Sequence, residues 1–120
     1  MRDENRRQKR IGSLLLEALS RMLIEELREI STALVTVTRV DVPADLKSAR
    51  VYLSVFGGED PAPIFAHLER RTGFLRKRLA AAVKLKYNPM LFFCLDPSAD
   101  MSDRIDRLLR TAKTDEHDAS

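Results

Sequence analysis

The chain has no tryptophan, two tyrosines, four glycines and a single cysteine in 120 residues. Each scarcity closes off a class of chemistry. One cysteine permits no internal disulfide and fits a reducing, cytoplasmic setting. Four glycines leave no room for a glycine-rich phosphate cradle: neither G-x-x-x-x-G-K-S/T nor G-x-G-x-x-G after a strand occurs. His67 and His117 have no cysteine or second histidine at metal-ligand spacing, so no metal and no other cofactor is expected. The acidic pairs Glu25–Glu26 and Glu59–Asp60 read as helix surface and helix start rather than as an acid/base couple. Cys94 lies inside an apolar run, where it reads as a small core residue. Neither catalysis nor a small-molecule substrate is therefore expected. Sparse aromatics argue against a sheet face that stacks bases. No apolar run approaches the roughly 20 residues of a bilayer span. The opening RDENRRQKR lacks the apolar region of a secretory signal, so no membrane partner is expected.

What is present is charge, unevenly placed. The net charge is only +3, yet residues 1–10 hold five basic and two acidic groups. Residues 67–86 hold seven Lys/Arg against one Glu, a local balance of +6. The remainder is acidic, with nine basic and fifteen acidic groups. A mildly acidic body with two basic segments suits a polyanion that docks on a defined side. A hydrophobic content of 44% with 32% charged residues is that of a globular chain, here long enough for one domain. That domain is expected over residues 1–113. Residues 114–120 lack apolar periodicity and read as a disordered tail.

Residues 5–30 read as one helix, with Ile11, Leu14, Leu15, Ala18 and Met22 as a stripe widened by Leu19, Leu23, Leu27 and Ile30. Arg6, Arg7, Lys9 and Arg10 crowd its first turns, where the helix dipole disfavours cations. An external anion would compensate; a frayed, solvated turn is the plainer account. The run 34–42, LVTVTRVDV, is rich in β-branched residues, but its apolar parity slips after Val37. That slip predicts either a bulge near Thr38–Arg39 or a strand buried on both faces. After the turn at 43–47, Ala49, Val51, Leu53 and Val55 alternate cleanly, and Gly57–Gly58 ends a second strand paired to the first as a hairpin.

Asp60–Pro61 predicts a helix start, with Ile64, Phe65 and Leu68 as its apolar face. Leu68, Leu75, Leu79 and Val83 continue the stripe to about Lys84. Gly73, costly inside a helix, predicts a kink and a crowded, special backbone position there. Arg71, Arg76, Lys77, Arg78 and Lys84 surround the stripe, and Arg76, Lys77 and Arg78 are expected to face out. A solvated helix face is again the plainer account of these charges. Asn88–Pro89 breaks the pattern. MLFFCL at 90–95 predicts a strand covered on both faces or central in its sheet, parallel to the second strand through a crossover. Ile105, Leu108, Leu109 and Ala112 suggest a last helix. The order is α-β-β-α-α-β-α, an α+β domain whose three-stranded mixed sheet packs on helices.

In order and spacing these residues resemble the ribosome-binding factor A family, bacterial assembly factors of the small ribosomal subunit. The resemblance runs from Arg7 to Leu109. It rests on Arg7, Arg10-Ile11, Val35-Thr36-Val37-Thr38 and Asp41-Val42-Pro43-Ala44-Asp45-Leu46, then Ala49, Val51-Tyr52 and Ser54. It continues through Gly73-Phe74-Leu75-Arg76, the run Leu85 to Phe93, Arg104-Ile105 and Leu108-Leu109. It implies a type II KH-like fold in which an Ala-x-Gly kink replaces the G-x-x-G loop of RNA-binding KH domains. Here Arg71-Thr72-Gly73 stands at that place, with arginine for alanine and so one more cation. The resemblance also implies binding to the free 30S subunit and its 16S rRNA, support of late 16S processing and 30S maturation, and a role in the cold. The residues expected to meet RNA are Arg6, Arg7, Lys9, Arg10, Arg70, Arg71, Gly73, Arg76, Lys77, Arg78, Lys84 and Lys86, on a monomer. Two other readings are a general KH-like module for single-stranded RNA, which the missing G-x-x-G disfavours, and a protein-interaction domain with an acidic partner.

Overall fold

The structure, a computed structural model, describes residues 2–57 and 60–97, with side chains from Asn5 onward. Its elements are α1 (Arg2–Leu27), β1 (Leu34–Asp41), β2 (Ser48–Phe56), α2 (Ala62–Arg70), α3 (Thr72–Ala82) and β3 (Met90–Leu95). The suggested last helix and the tail lie outside the described residues. The sheet has the order β1-β2-β3, antiparallel between β1 and β2 and parallel between β2 and β3.

Alternation in β2 sets the core. Ala49, Val51 and Leu53 are fully buried and Val55 nearly so, because every second side chain points at the helices. Against them pack Leu15, Leu19, Met22, Leu23 and Leu27 of α1, Ile64 and Leu68 of α2, and Leu75 and Leu79 of α3. The parity slip in β1 is a bulge: the register shifts between Val37 and Arg39, returning Val40 to the face that Val37 occupies. The bulged Thr38 turns its hydroxyl to donate to Asp96 Oδ2 at 2.8 Å, tying β1 to the residue after β3.

Several expectations need correction. α1 ends at Leu27 rather than Ile30, which takes Ile30 off the stripe and leaves it exposed, as is Leu14. Pro61 is the N-cap of α2, and the Ala62 N–H is capped from one residue further back by Asp60 Oδ1 at 3.0 Å. β3 is neither central nor covered on both faces among the described residues. It is an edge strand, and Met90, Phe92 and Leu95 are exposed. Its register places Phe92 and Cys94 beside Arg50 and Tyr52, on the side away from the helices. α3 stops at Ala82, where Val83 turns extended.

The break between α2 and α3 falls at Arg71, with φ −96° and ψ 6°, not at Gly73. Gly73 sits in the first turn of α3, and a Cβ added there would meet nothing within 4 Å. It is neither crowded nor at positive φ, so the expected backbone requirement at Gly73 does not hold. The fold needs glycine at Gly57, where φ is 141°, and at Gly12. A Cβ at that position would stand 2.8 Å from the Val40 carbonyl oxygen, because α1 lies directly on the β1 backbone.

Gly73 and Gly12 should therefore respond oppositely to alanine. Gly73→Ala removes unfolded-state freedom without a clash and should raise stability by about 0.4–1 kcal/mol. Gly12→Ala gains the same helix propensity but forces α1 off β1, for a net loss of about 1–3 kcal/mol. Urea unfolding midpoints of the two variants check both signs.

Candidate nucleic-acid interface

The amphipathic pattern of α1 fixes where its cations go. Gln8, Gly12 and Leu15 share the side facing the sheet, and the Gln8 amide donates to the Val42 carbonyl at 3.1 Å. Helical spacing turns Arg6 and Arg10 to the opposite side and puts Arg7 and Lys9 on the two flanks, and all four are exposed. The N-terminal half of α1 is thereby held over the end of the sheet where β1 finishes.

The other basic segment divides. Because β3 is parallel to β2, the chain must return to the start of β2 before β3 begins. The Met90 N–H donates to the Lys47 carbonyl at 2.9 Å, so the 83–89 loop lies beside the 43–47 turn. Lys84 and Lys86 are exposed on that loop, and the exposed Lys47, which the sequence reading missed, joins them. Lys86 Nζ stands 5.4 Å from the centre of the Tyr87 ring. The 43–47 turn is tight: Leu46 has φ 60°, buries its side chain, and donates its N–H to the Pro43 carbonyl at 3.0 Å. Arg6, Arg7, Lys9, Arg10, Lys47, Lys84 and Lys86 thus share one end of the sheet.

Arg70, Arg71, Gly73 and Arg78 lie toward the opposite end, against the C-terminal part of α1. Glu26, expected on a helix surface, has a side chain only 9% exposed. Its Oε1 accepts from Arg71 Nε at 2.5 Å and lies 3.1 Å from His67 Nε2. The Arg71 hydrogen bond holds the Glu26 carboxyl below its ordinary 4.5, against the opposing effect of burial. Arg78 Nη2 reaches Glu25 Oε2 at 3.3 Å. At this end, then, much of the positive charge is neutralised by carboxylates of α1.

The expectation that Arg76, Lys77 and Arg78 form an outward set is corrected as well. Arg76 donates through Nε to the Pro89 carbonyl at 2.9 Å and through Nη2 to the Asn88 carbonyl at 2.8 Å. It braces the loop that carries Lys84 and Lys86, while Arg78 is paired as above. Lys77 alone of the three stands exposed without an ion pair to a described residue. Among the described residues no group of three or more His, Cys, Asp or Glu is placed to hold a metal ion. No described helix is long and apolar enough to cross a membrane.

Glu26→Gln leaves Arg71 without its charged partner, although the half-exposed guanidinium can rehydrate. The expected loss at neutral pH is about 1–2 kcal/mol, at the lower end for a charged hydrogen bond. A carboxylate whose folded value is depressed stabilises above its unfolded value and loses that effect as pH falls through the folded one. Stability of the unsubstituted chain should therefore decline as pH drops below about 4.5, and the gap to Glu26→Gln should narrow. Denaturant titrations across the acid range measure both.

The family model for ribosome-binding factor A matches residues 7–109. A ribosome-binding factor A from Halothermothrix orenii is 33% identical over 114 residues, covering 94% of this chain and 93% of the relative. The crystal structure of ribosome-binding factor A from Thermus thermophilus superposes with a TM-score of 0.62 at 24% identity, covering 73% of this chain and 94% of that one, a likeness of fold. A homology model of the Thermus thermophilus factor, fitted into the cryo-EM map of a 30S complex, gives a TM-score of 0.54 at 28% identity, covering 71% of this chain and 94% of that one. With a matched span that runs from the second turn of α1 through β3, the chain belongs to the ribosome-binding factor A family.

Proposed function

We propose that this chain binds the free 30S subunit through its 16S rRNA, as a cytoplasmic monomer that acts by binding rather than by catalysis. On this reading it supports late 16S rRNA processing and 30S maturation, including in the cold. The observation that carries the reading is the family match over residues 7–109, to relatives one of which was fitted into the map of a 30S complex. The geometry supports it in a particular way. Arg6, Arg7, Lys9 and Arg10 on α1 and Lys47, Lys84 and Lys86 on two loops offer cations from three segments around one end of the sheet. Such a surface binds phosphates, releases their counterions and holds register without reading bases. Gln8 and Gly12 on one side and Arg76 on the other fix the elements that carry these charges.

Sedimentation of cell extract tests the reading directly: the protein should travel with free 30S particles and not with 70S ribosomes or messenger RNA. Replacing Arg6, Arg7, Lys9 and Arg10 together by alanine should weaken binding to purified 30S particles by roughly tenfold or more. It should also flatten the slope of log affinity against log salt by about 3, somewhat under one per lost phosphate contact. All four side chains are exposed, so the thermal midpoint should hold. An unchanged affinity and slope would move the interface away from this end.

A further inference from the structure

The sheet has two faces, and among the described residues the helices cover only one. On the other lie Met90, Phe92 and Cys94 of β3, beside Ser48, Arg50 and Tyr52 of β2. Met90 is 45% exposed and Phe92 52% exposed, whereas Leu91 between them is buried against the helices. The Asp96 N–H continues the β3 pairing onto the Leu53 carbonyl, so Asp96 shares the parity of Phe92 and Cys94. Its carboxylate accepts from Thr38 of β1 across the central strand. The chain is thereby pinned on the open face as it leaves β3. Pro97, the next residue, already has helical backbone.

We propose that this open face is the docking site of the chain's own segment 98–113, folded as a helix over β2 and β3. The segment has the apolar side such a site requires. Met101, Ile105, Leu108, Leu109 and Ala112 gather on one side of a helix, while Asp103, Arg107 and Arg110 fall on the other. It also has the right length. A helix from Pro97 to Ala112 is about 24 Å long, and β3 with Asp96 extends about 20 Å. Finally, it starts on the face it would cover. With no free linker after Asp96, the segment meets Phe92 at an effective concentration in the millimolar range, well above that of a second copy in dilute solution. Such a cover also accounts for the unbroken apolar run of β3. A strand that packs on one face only alternates with polar residues, whereas one buried on both faces reads as MLFFCL does.

The full chain serves for the test, because Cys94 is its only cysteine and lies on the face in question. In an isotope-labelled sample, nuclear Overhauser contacts should join the Phe92 ring to methyl groups of Ile105, Leu108 or Leu109. A mixture of labelled and unlabelled chains should show no such contact between molecules. Replacing Ile105 and Leu108 together by serine should speed reaction of the Cys94 thiol with a disulfide reagent roughly tenfold or more, as an open form held to about 10% or less becomes the main one. Arg107→Ser with Arg110→Ser, on the opposite side of the helix, should leave that rate unchanged. Circular dichroism melting establishes that both double variants keep a folded body. Absence of the contacts in the unsubstituted chain overturns the proposal. So do contacts found only between molecules, which assign the face to a second copy, or equal thiol rates in the two folded variants. Should the first double variant not fold, the contacts in the unsubstituted chain decide alone.

Discussion

The parallel pairing of β2 with β3 governs the layout of this molecule. β2 runs from Ser48 to Phe56, and β3 must begin beside Ser48 to lie parallel to it. The intervening chain therefore has to travel the length of the sheet and come back to its starting end. α2 and α3 carry it there, and the change of direction at Arg71 lets α2 lie against β3 while α3 lies against α1. The charge distribution follows from that path. Residues late in the crossover, Lys84 and Lys86, arrive at the end of the sheet where α1 begins. Residues at its middle, Arg71 and Arg78, meet the carboxylates of Glu25 and Glu26 instead.

Local chemistry was legible wherever one residue type determines one outcome. β-Branched alternation named β2 and its buried face, and the parity slip after Val37 located a real bulge. An interrupted helix pair was visible too, although the break lies two residues before the glycine that suggested it. Gly73 was misread because a glycine in a helical pattern has two physical origins, a backbone need or mere tolerance in a first turn. Gly12 carries the same propensity cost and is the one forced by contact, since the Val40 carbonyl leaves no room for a Cβ. Only packing tells the two apart. The apolar run 90–95 misled for a related reason: six apolar residues record what side chains prefer, not which neighbour reaches them, and β3 has a strand on one side only among the described residues.

The site was harder to read than the fold, because cations were countable and their partners were not. Glu26 and Arg71 are 45 residues apart, and no periodicity links them. Arg76 looked equivalent to Lys77, yet its planar fork holds two carbonyls at 88–89 that a compact ammonium matches poorly. The basic segment 67–86 therefore does three different jobs: bracing a loop, locking three helices together at one carboxylate, and presenting free lysines.

This division bears on how a modest net charge yields a directed polyanion surface. An arginine paired to a carboxylate adds little to the long-range field, because the two charges cancel beyond a Debye length of roughly 8 Å at physiological salt. At the Glu25–Glu26 end the guanidiniums are ion-paired to α1, and that of Arg71 lies over the Phe74 ring. At the opposite end the cations of α1 and the loops make no ion pair with a described residue, and Asp41, the nearest strand carboxylate, is engaged by Arg39 at 3.2 Å. The positive charge there is less compensated than at the Glu25–Glu26 end, where Arg71 and Arg78 are ion-paired. Charge pairing, more than charge number, gives the molecule one end of higher positive potential.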